Sequence, residues 1–132
     1  MIIRDLMSTA LMTVKPGDTV ERADLDMRLA DIRHFPVVDD RHHLVGVVSD
    51  RDLLRAFGQM EAKTVTVKDV MSADVYSVNP DTSAADALEQ MMERKIGSVP
   101  VVEEDGQLVG LVTETDFLEV ARRALQGEEL VR

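Results

Sequence analysis

Leu44-Val45-Gly46-Val47-Val48-Ser49-Asp50-Arg51-Asp52 and, 64 residues later, Leu108-Val109-Gly110-Leu111-Val112-Thr113-Glu114-Thr115-Asp116 are two copies of one sentence. Each is an apolar β-rich run that ends at a hydroxyl residue and passes into helix-forming sequence, with an Asp three residues after the hydroxyl. The copying extends outward in both directions. Residues 5–56 align with 69–120 without a gap, and 17 of those 52 positions are identical. A repeat of that length is a whole structural unit, and two copies predict a pseudo-two-fold pair. Ligand sites often form where such units meet.

Moving outward, each copy reads in the same order. An extended segment comes first, Met12-Thr13-Val14-Lys15-Pro16 and Tyr76-Ser77-Val78-Asn79-Pro80, because proline restricts the residue before it to extended geometry. A helix follows. Asp18 with Glu21 fits a capping box in the first copy, and Asp81, Thr82 or Ser83 can cap in the second. Ala84, Ala87, Leu88, Met91 and Met92 stand at helical spacing, as do Val20, Ala23, Met27 and Ala30, with Asp24 weakening the first stripe. Then comes a hairpin, Phe35–Val38 to Leu44–Val48 and Val99–Val102 to Leu108–Val112. Its second turn carries Asp105-Gly106, a strong hairpin signal. The near-continuous apolar strands suggest burial on both faces. A second helix closes each copy, over 50–57 and 114–125. The expected layout is a first repeat over 1–60, a linker over 61–67, a second repeat over 68–126 and a tail over 127–132. The expected class is mixed α/β (α+β). One unit alone leaves a sheet face bare, so the pair is expected to be the folding entity.

Bulk properties narrow the function. The chain has 132 residues, 45% hydrophobic but only 3% aromatic, so its core must be Val, Leu, Ile, Met and Ala. There is no Cys, which removes disulfides, thiol nucleophiles and thiolate metal sites. The net charge is −10, with 9 basic and 11 acidic residues in 1–64 against 6 and 14 in 65–132. That balance disfavours nucleic acid, while a small phosphate ligand needs only a few aimed N–H donors. The apolar runs fall far short of the roughly 20 residues of a membrane helix, and the early charges argue against a signal peptide. A soluble, cytoplasmic protein is expected. His42-His43, in an acidic hairpin loop, reads as solvated loop rather than metal site, and neither a catalytic pair nor a P-loop is present.

Ser49-x-x-Asp52 and Thr113-x-x-Asp116 admit two readings. Free N–H groups at a helix start favour an anion. A hydroxyl there can reach phosphate, and a carboxylate one turn on can accept both hydroxyls of a ribose. The same residues are also acceptable capping boxes that need no ligand.

The two copies resemble CBS domains, paired as in a Bateman module, in a stand-alone CBS-domain protein. The resemblance rests on Asp5-Leu6-Met7-Ser8, the Val-Pro segments, Pro36-Val37-Val38, Leu44-Val45-Gly46 and the Ser/Thr-x-x-Asp ends, with their counterparts 64 residues on. It implies a regulatory, non-catalytic module that binds AMP, ADP, ATP or S-adenosylmethionine in clefts between the copies, with magnesium in some members and no catalytic cofactor. In one cleft Ser49 and Arg51 are expected at phosphate and Asp52 at ribose, with the base against Val47 and against Tyr76, Ser77 and Val78. In the other, Thr113 is expected at phosphate and Asp116 at ribose, with the base against Leu111 and against Met12, Thr13 and Val14. The positions before the Pro-Val-Val strands, Arg33 and His34 against Gly97 and Ser98, are expected to point into the clefts. Arg33 suits phosphate, or simply ends a helix whose dipole favours a cation. His34 can tune binding with pH or merely edge a strand. The resemblance also implies a homodimer and a regulated protein that the sequence does not name. A partner-docking module with vestigial sites, and a small nucleotide enzyme, are the rival readings.

Overall fold

The structure, a computed structural model, describes residues 1–59 and 64–128. The chain forms two compact units, and they are out of phase with the sequence repeat. The central unit is Met12–Val75, and the terminal unit joins Met1–Leu11 to the chain from Tyr76 onward. The opening segment of each repeat therefore completes the unit built from the other repeat's hairpin.

In the central unit α1 (Val20–Ala30) is followed by β1 (His34–Val38), β2 (Leu44–Ser49), α2 (Asp50–Gln59) and the short α3 (Val67–Val70). The terminal unit has a 3-10 turn at Ile3–Asp5, then α4 (Ala84–Arg94), β3 (Ser98–Val102), β4 (Leu108–Thr113) and α5 (Glu114–Leu125). Both hairpins are antiparallel with the same register, Phe35 opposite Val48 and Val99 opposite Val112, and each shifts register at the last strand residue. Single bridges widen each ladder. Val14 runs parallel to Val37 and Ser72 antiparallel to Val47; Val78 and Ser8 do the same against Val101 and Leu111.

The extra edge explains the Asp-x-Met-Ser opening and the strand glycine as one device. Asp69 accepts the Thr66 N–H at 3.0 Å, and Asp5 accepts the Ile2 N–H at 3.0 Å, so each aspartate fixes a short turn. The Thr66 N–H and hydroxyl hold the exposed Asp69 carboxyl below its ordinary range. The serine then pairs with the strand: Ser72 and Val47 exchange two backbone bonds of 2.9 Å. Between them the methionine lies on a glycine. A Cβ at Gly46 would stand 2.8 Å from Met71 Sδ and 2.8 Å from the Ser72 carbonyl oxygen, and one at Gly110 would stand 2.6 Å from Met7 Sδ. Only a residue without Cβ allows that approach.

Each unit has its own core. The central one gathers Val14, Val20, Ala23, Met27, Phe35, Val37, Val48, Leu53 and Ala56 with Val65 and Val67. The terminal one gathers Val78, Ala87, Met91, Val99, Val101 and Val112 around Ile3, which is fully buried. The helical stripes are confirmed at Val20, Ala23, Met27, Ala84, Ala87 and Met91. Met92, by contrast, is 70% exposed and lies off the stripe. Other expectations are corrected. The cap of α1 is Thr19, whose hydroxyl accepts the Arg22 N–H, while Asp18 accepts the Lys15 N–H in the turn before it. For α4 one of the three expected candidates, Ser83, is indeed the cap. Continuous burial holds for β1 after its first residue, but β2 alternates, because its other face is only partly covered. The segment expected to link the repeats places Val65 and Val67 in the core, and Val65 accepts the Val20 N–H. Residues 60–63 and the expected tail beyond 128 lie outside the described residues.

The two glycines should not respond alike to alanine. At Gly46 the added methyl meets a backbone oxygen as well as sulfur, whereas at Gly110 the three nearest atoms all belong to the Met7 side chain. Chemical denaturation of the single variants should show a loss of about 2–3 kcal/mol for Gly46→Ala and about 1 kcal/mol for Gly110→Ala.

Candidate functional site

The strand-to-helix junctions are built almost identically. In the central unit β2 ends at Ser49 and α2 begins at Asp50, whose N–H donates to the Arg33 carbonyl at 2.9 Å. That bond holds the residue before β1 beside the helix start. The Ser49 N–H donates to Asp52 Oδ2 at 2.8 Å and the Asp52 N–H to Ser49 Oγ at 3.2 Å, a reciprocal capping box. In the terminal unit the Glu114 N–H donates to the Gly97 carbonyl at 3.0 Å, and the Thr113 N–H to Asp116 Oδ2 at 2.8 Å. The Thr113 hydroxyl points at the same oxygen, 3.4 Å away.

Both readings of the Ser/Thr-x-x-Asp motif therefore start from the same geometry, in which the capping bonds are made. They do not exhaust the carboxylates. Each oxygen carries two lone pairs, and Asp116 Oδ1 has no partner among the described residues. Asp52 is more tightly held: it is 9% exposed, and Arg55 Nη2 donates to its Oδ1 at 2.6 Å. Arg55 has no counterpart in the other unit, where the equivalent position is Glu119, ion-paired with Arg122. Sequence reasoning missed Arg55; its place three residues after Asp52 on a helix was the available signal.

The units sort the candidate residues cleanly. Met12, Thr13, Val14, Arg33, His34, Val47, Ser49, Arg51 and Asp52 all belong to the central unit; Tyr76, Ser77, Val78, Ser98, Leu111, Thr113 and Asp116 all belong to the terminal unit. Each unit thus carries a full set: extended segment, pre-strand residues, strand end and helix start. Val14 and Val78 are core side chains, 3% and 7% exposed, so Met12, Thr13, Tyr76 and Ser77 present the side-chain surface of their segments. The Arg94 guanidinium lies 4.5 Å over the Tyr76 ring, a cation–π contact that the pattern of the sequence did not announce. Arg33, His34 and Arg51 are exposed.

Elsewhere in the central unit a shallow cleft opens between α1 and α2, lined by Leu25 and Phe57 among charged residues, and it shares no residue with the candidate set. In the first hairpin loop the His43 and Arg41 N–H groups donate to Asp39, and these bonds, that of His43 first, pull its carboxyl down. No group of three or more His, Asp or Glu side chains is placed to hold a metal among the described residues. Among those residues, too, no helix is long and apolar enough to cross a membrane.

Comparison with known proteins gives these junctions a context. A model of the CBS-domain family matches residues 3–59 and again 67–123. Inosine-5′-monophosphate dehydrogenase of Methanocaldococcus jannaschii is 37% identical over 108 residues, which are 82% of this chain and 21% of that enzyme. The chain thus spans about a fifth of that relative. Among solved structures, CBSX2 in complex with AMP superposes with a TM-score of 0.84 at 32% identity, covering 94% of this chain and 98% of that one. The CBS domain pair of protein MJ0100, in complex with 5′-methylthioadenosine and S-adenosyl-L-methionine, superposes at 0.82 with 25% identity, covering 92% and 99%.

The capping geometry makes unequal demands on Asp52 and Arg55. Removing the carboxylate in Asp52→Ala should lower stability by about 1–2 kcal/mol, since the Ser49 N–H loses its acceptor. Arg55→Ala, which removes one exposed ion-pair partner, should cost less than about 0.5 kcal/mol in the same urea titration.

Proposed function

Because the chain belongs to the CBS-domain family and carries two copies of that domain, we propose that it is a regulatory module that senses an adenosine-containing ligand: AMP, ADP, ATP or S-adenosylmethionine. The observation that carries this reading is the duplicated junction, where a strand ends at Ser49 or Thr113 and a helix starts with Asp52 or Asp116 one turn on. The helix dipole favours an anion there, and the Ser49 hydroxyl, which accepts the Asp52 N–H, keeps its own proton to donate. The carboxylate keeps its capping bond on one lone pair and accepts ribose hydroxyls on the others. Arg33, His34 and Arg51 add contacts on the central unit, and Ser98 on the terminal one. Val47, Leu111, Met12, Thr13, Tyr76 and Ser77 supply the surfaces on which the base packs. The neighbours that bind AMP and S-adenosylmethionine support the ligand class.

Ligand binding acts by shifting a population, since a state that makes more contacts with the ligand gains on one that makes fewer. The output is a regulated protein rather than a reaction on the nucleotide, and the setting is the cytoplasm. The module works as a homodimer. Leu54 and Leu118, at equivalent positions on α2 and α5, are 71% and 67% exposed, each an apolar side chain suited to contact with a second copy. Light scattering should give twice the mass of the chain, reduced to one chain by Leu54→Glu with Leu118→Glu.

A partner-docking module with vestigial sites is the second reading, favoured by the completed capping box at Ser49 and Asp52. A thermal-shift panel separates the two. With AMP, ADP, ATP or S-adenosylmethionine at about 100 times the dissociation constant, with and without magnesium, stabilisation of about 2.7 kcal/mol is expected. That is a rise of several degrees, lost in Asp52→Asn or Asp116→Asn and absent with GTP. No shift with any adenosyl ligand at millimolar concentration would favour docking.

A further inference from the structure

The two junctions share a backbone design but carry opposite charge. Beside the start of α2 stand Arg33, Arg51 and Arg55, against the acids Asp50 and Asp52. The Arg33 backbone is held there through its carbonyl, with its side chain exposed, while the Arg55 guanidinium is engaged by Asp52. At the equivalent positions beside α5 stand Gly97, Thr115 and Glu119, with Glu114 and Asp116 as the counterparts of the aspartates. No cation occupies any of these terminal-unit positions; Arg122, one turn further along α5, is spent on Glu119. The space a side chain at Gly97 would fill is taken instead by the Glu114 carboxylate, whose carbon and oxygens lie 3.4 to 3.5 Å from the place of the absent Cβ. Where the central unit offers an arginine, the terminal unit offers an acid.

We propose that the two units divide the adenosyl ligands by charge: the α2 junction takes nucleoside polyphosphates, and the α5 junction takes uncharged or cationic adenosyl thioethers and sulfonium compounds. The division rests on the adenosyl reading above. Ribose recognition is common to both, since Asp52 and Asp116 make the same backbone bond. What differs is the group at the 5′ position. A polyphosphate within reach of the exposed Arg33 and Arg51 side chains gains charge-assisted bonds, and the same polyphosphate beside Glu114 meets repulsion. A sulfonium or neutral thioether avoids that repulsion, and the Glu114 carboxylate favours the cation. Each unit charge at contact distance changes affinity severalfold even at water's dielectric constant, so the combined preference is on the order of tenfold or more.

Calorimetric titration in magnesium-free buffer tests this, with ATP, S-adenosylmethionine and 5′-methylthioadenosine as probes. In Asp116→Asn, which leaves the α2 junction intact, ATP should bind at least about tenfold tighter than methylthioadenosine and weaken as salt rises. In Asp52→Asn the order should reverse and salt should matter little. Arg33→Ala with Arg51→Ala changes two exposed side chains without touching a cap. It should weaken ATP about tenfold and leave methylthioadenosine within about twofold. The same ligand order in both Asp variants, or unchanged ATP binding in the arginine variant, would overturn the division while leaving an adenosyl sensor in place. Wild-type protein that binds none of the three would overturn the adenosyl reading itself, and the division with it.

Discussion

The close approach of a methionine to a strand glycine is the contact on which the rest of each unit depends. Met71 lies over Gly46 and Met7 over Gly110, nearer than any Cβ allows. That approach seats Ser72 against Val47 and Ser8 against Leu111, turning a two-stranded hairpin into a wider ladder. A bare hairpin is marginal in water. With the parallel bridges at Val14 and Val78 on the other edge, each ladder becomes broad enough to bury its core.

A consequence is that neither repeat is self-sufficient. The segment 64–75 belongs with the first hairpin and 1–11 with the second. The fully buried Ile3 is a core residue of a unit most of whose chain begins some 70 residues later. Such an arrangement ties the stability of the terminal unit to both ends of the chain, and that of the central unit to the opening segment of the second repeat. It also leaves the strand-to-helix junction at a supported place, since the strand that delivers Ser49 or Thr113 is the one the methionine segment braces. The ligand site proposed for this junction needs that rigidity, because a carboxylate proposed to accept two hydroxyls gains little if its helix can move away.

Duplication then allowed the two junctions to diverge in their side chains while their backbones stayed the same. The bonds from Ser49 and Thr113 to their aspartates have equal length. Arg33, Arg51 and Arg55 on one junction face Gly97, Thr115 and Glu119 in the alignment, so the difference is one of charge and not of fold.

Much of this was legible in the residues themselves. The 64-residue offset, the hairpins and the two second helices follow from local periodicity and turn chemistry, which act over a few residues. The Ser/Thr-x-x-Asp motif disclosed both its capping and its binding reading for the same reason. Thr19 displaced Asp18 as the cap because both are good acceptors one residue apart, and only the backbone geometry chooses. Met92 fell outside its stripe because a helix of this width buries little more than Ala84, Ala87 and Met91. Arg94 over Tyr76 and Glu114 beside Gly97 are contacts of side chains in space that no spacing rule singles out, whereas Arg55 on Asp52 was within reach of the helical i,i+3 rule. The sequence alone determined the repeated elements and the chemistry available at each junction. The tertiary structure decided which opening segment completes which hairpin, because either edge satisfies the same backbone hydrogen bonds and only packing against a particular core selects between them.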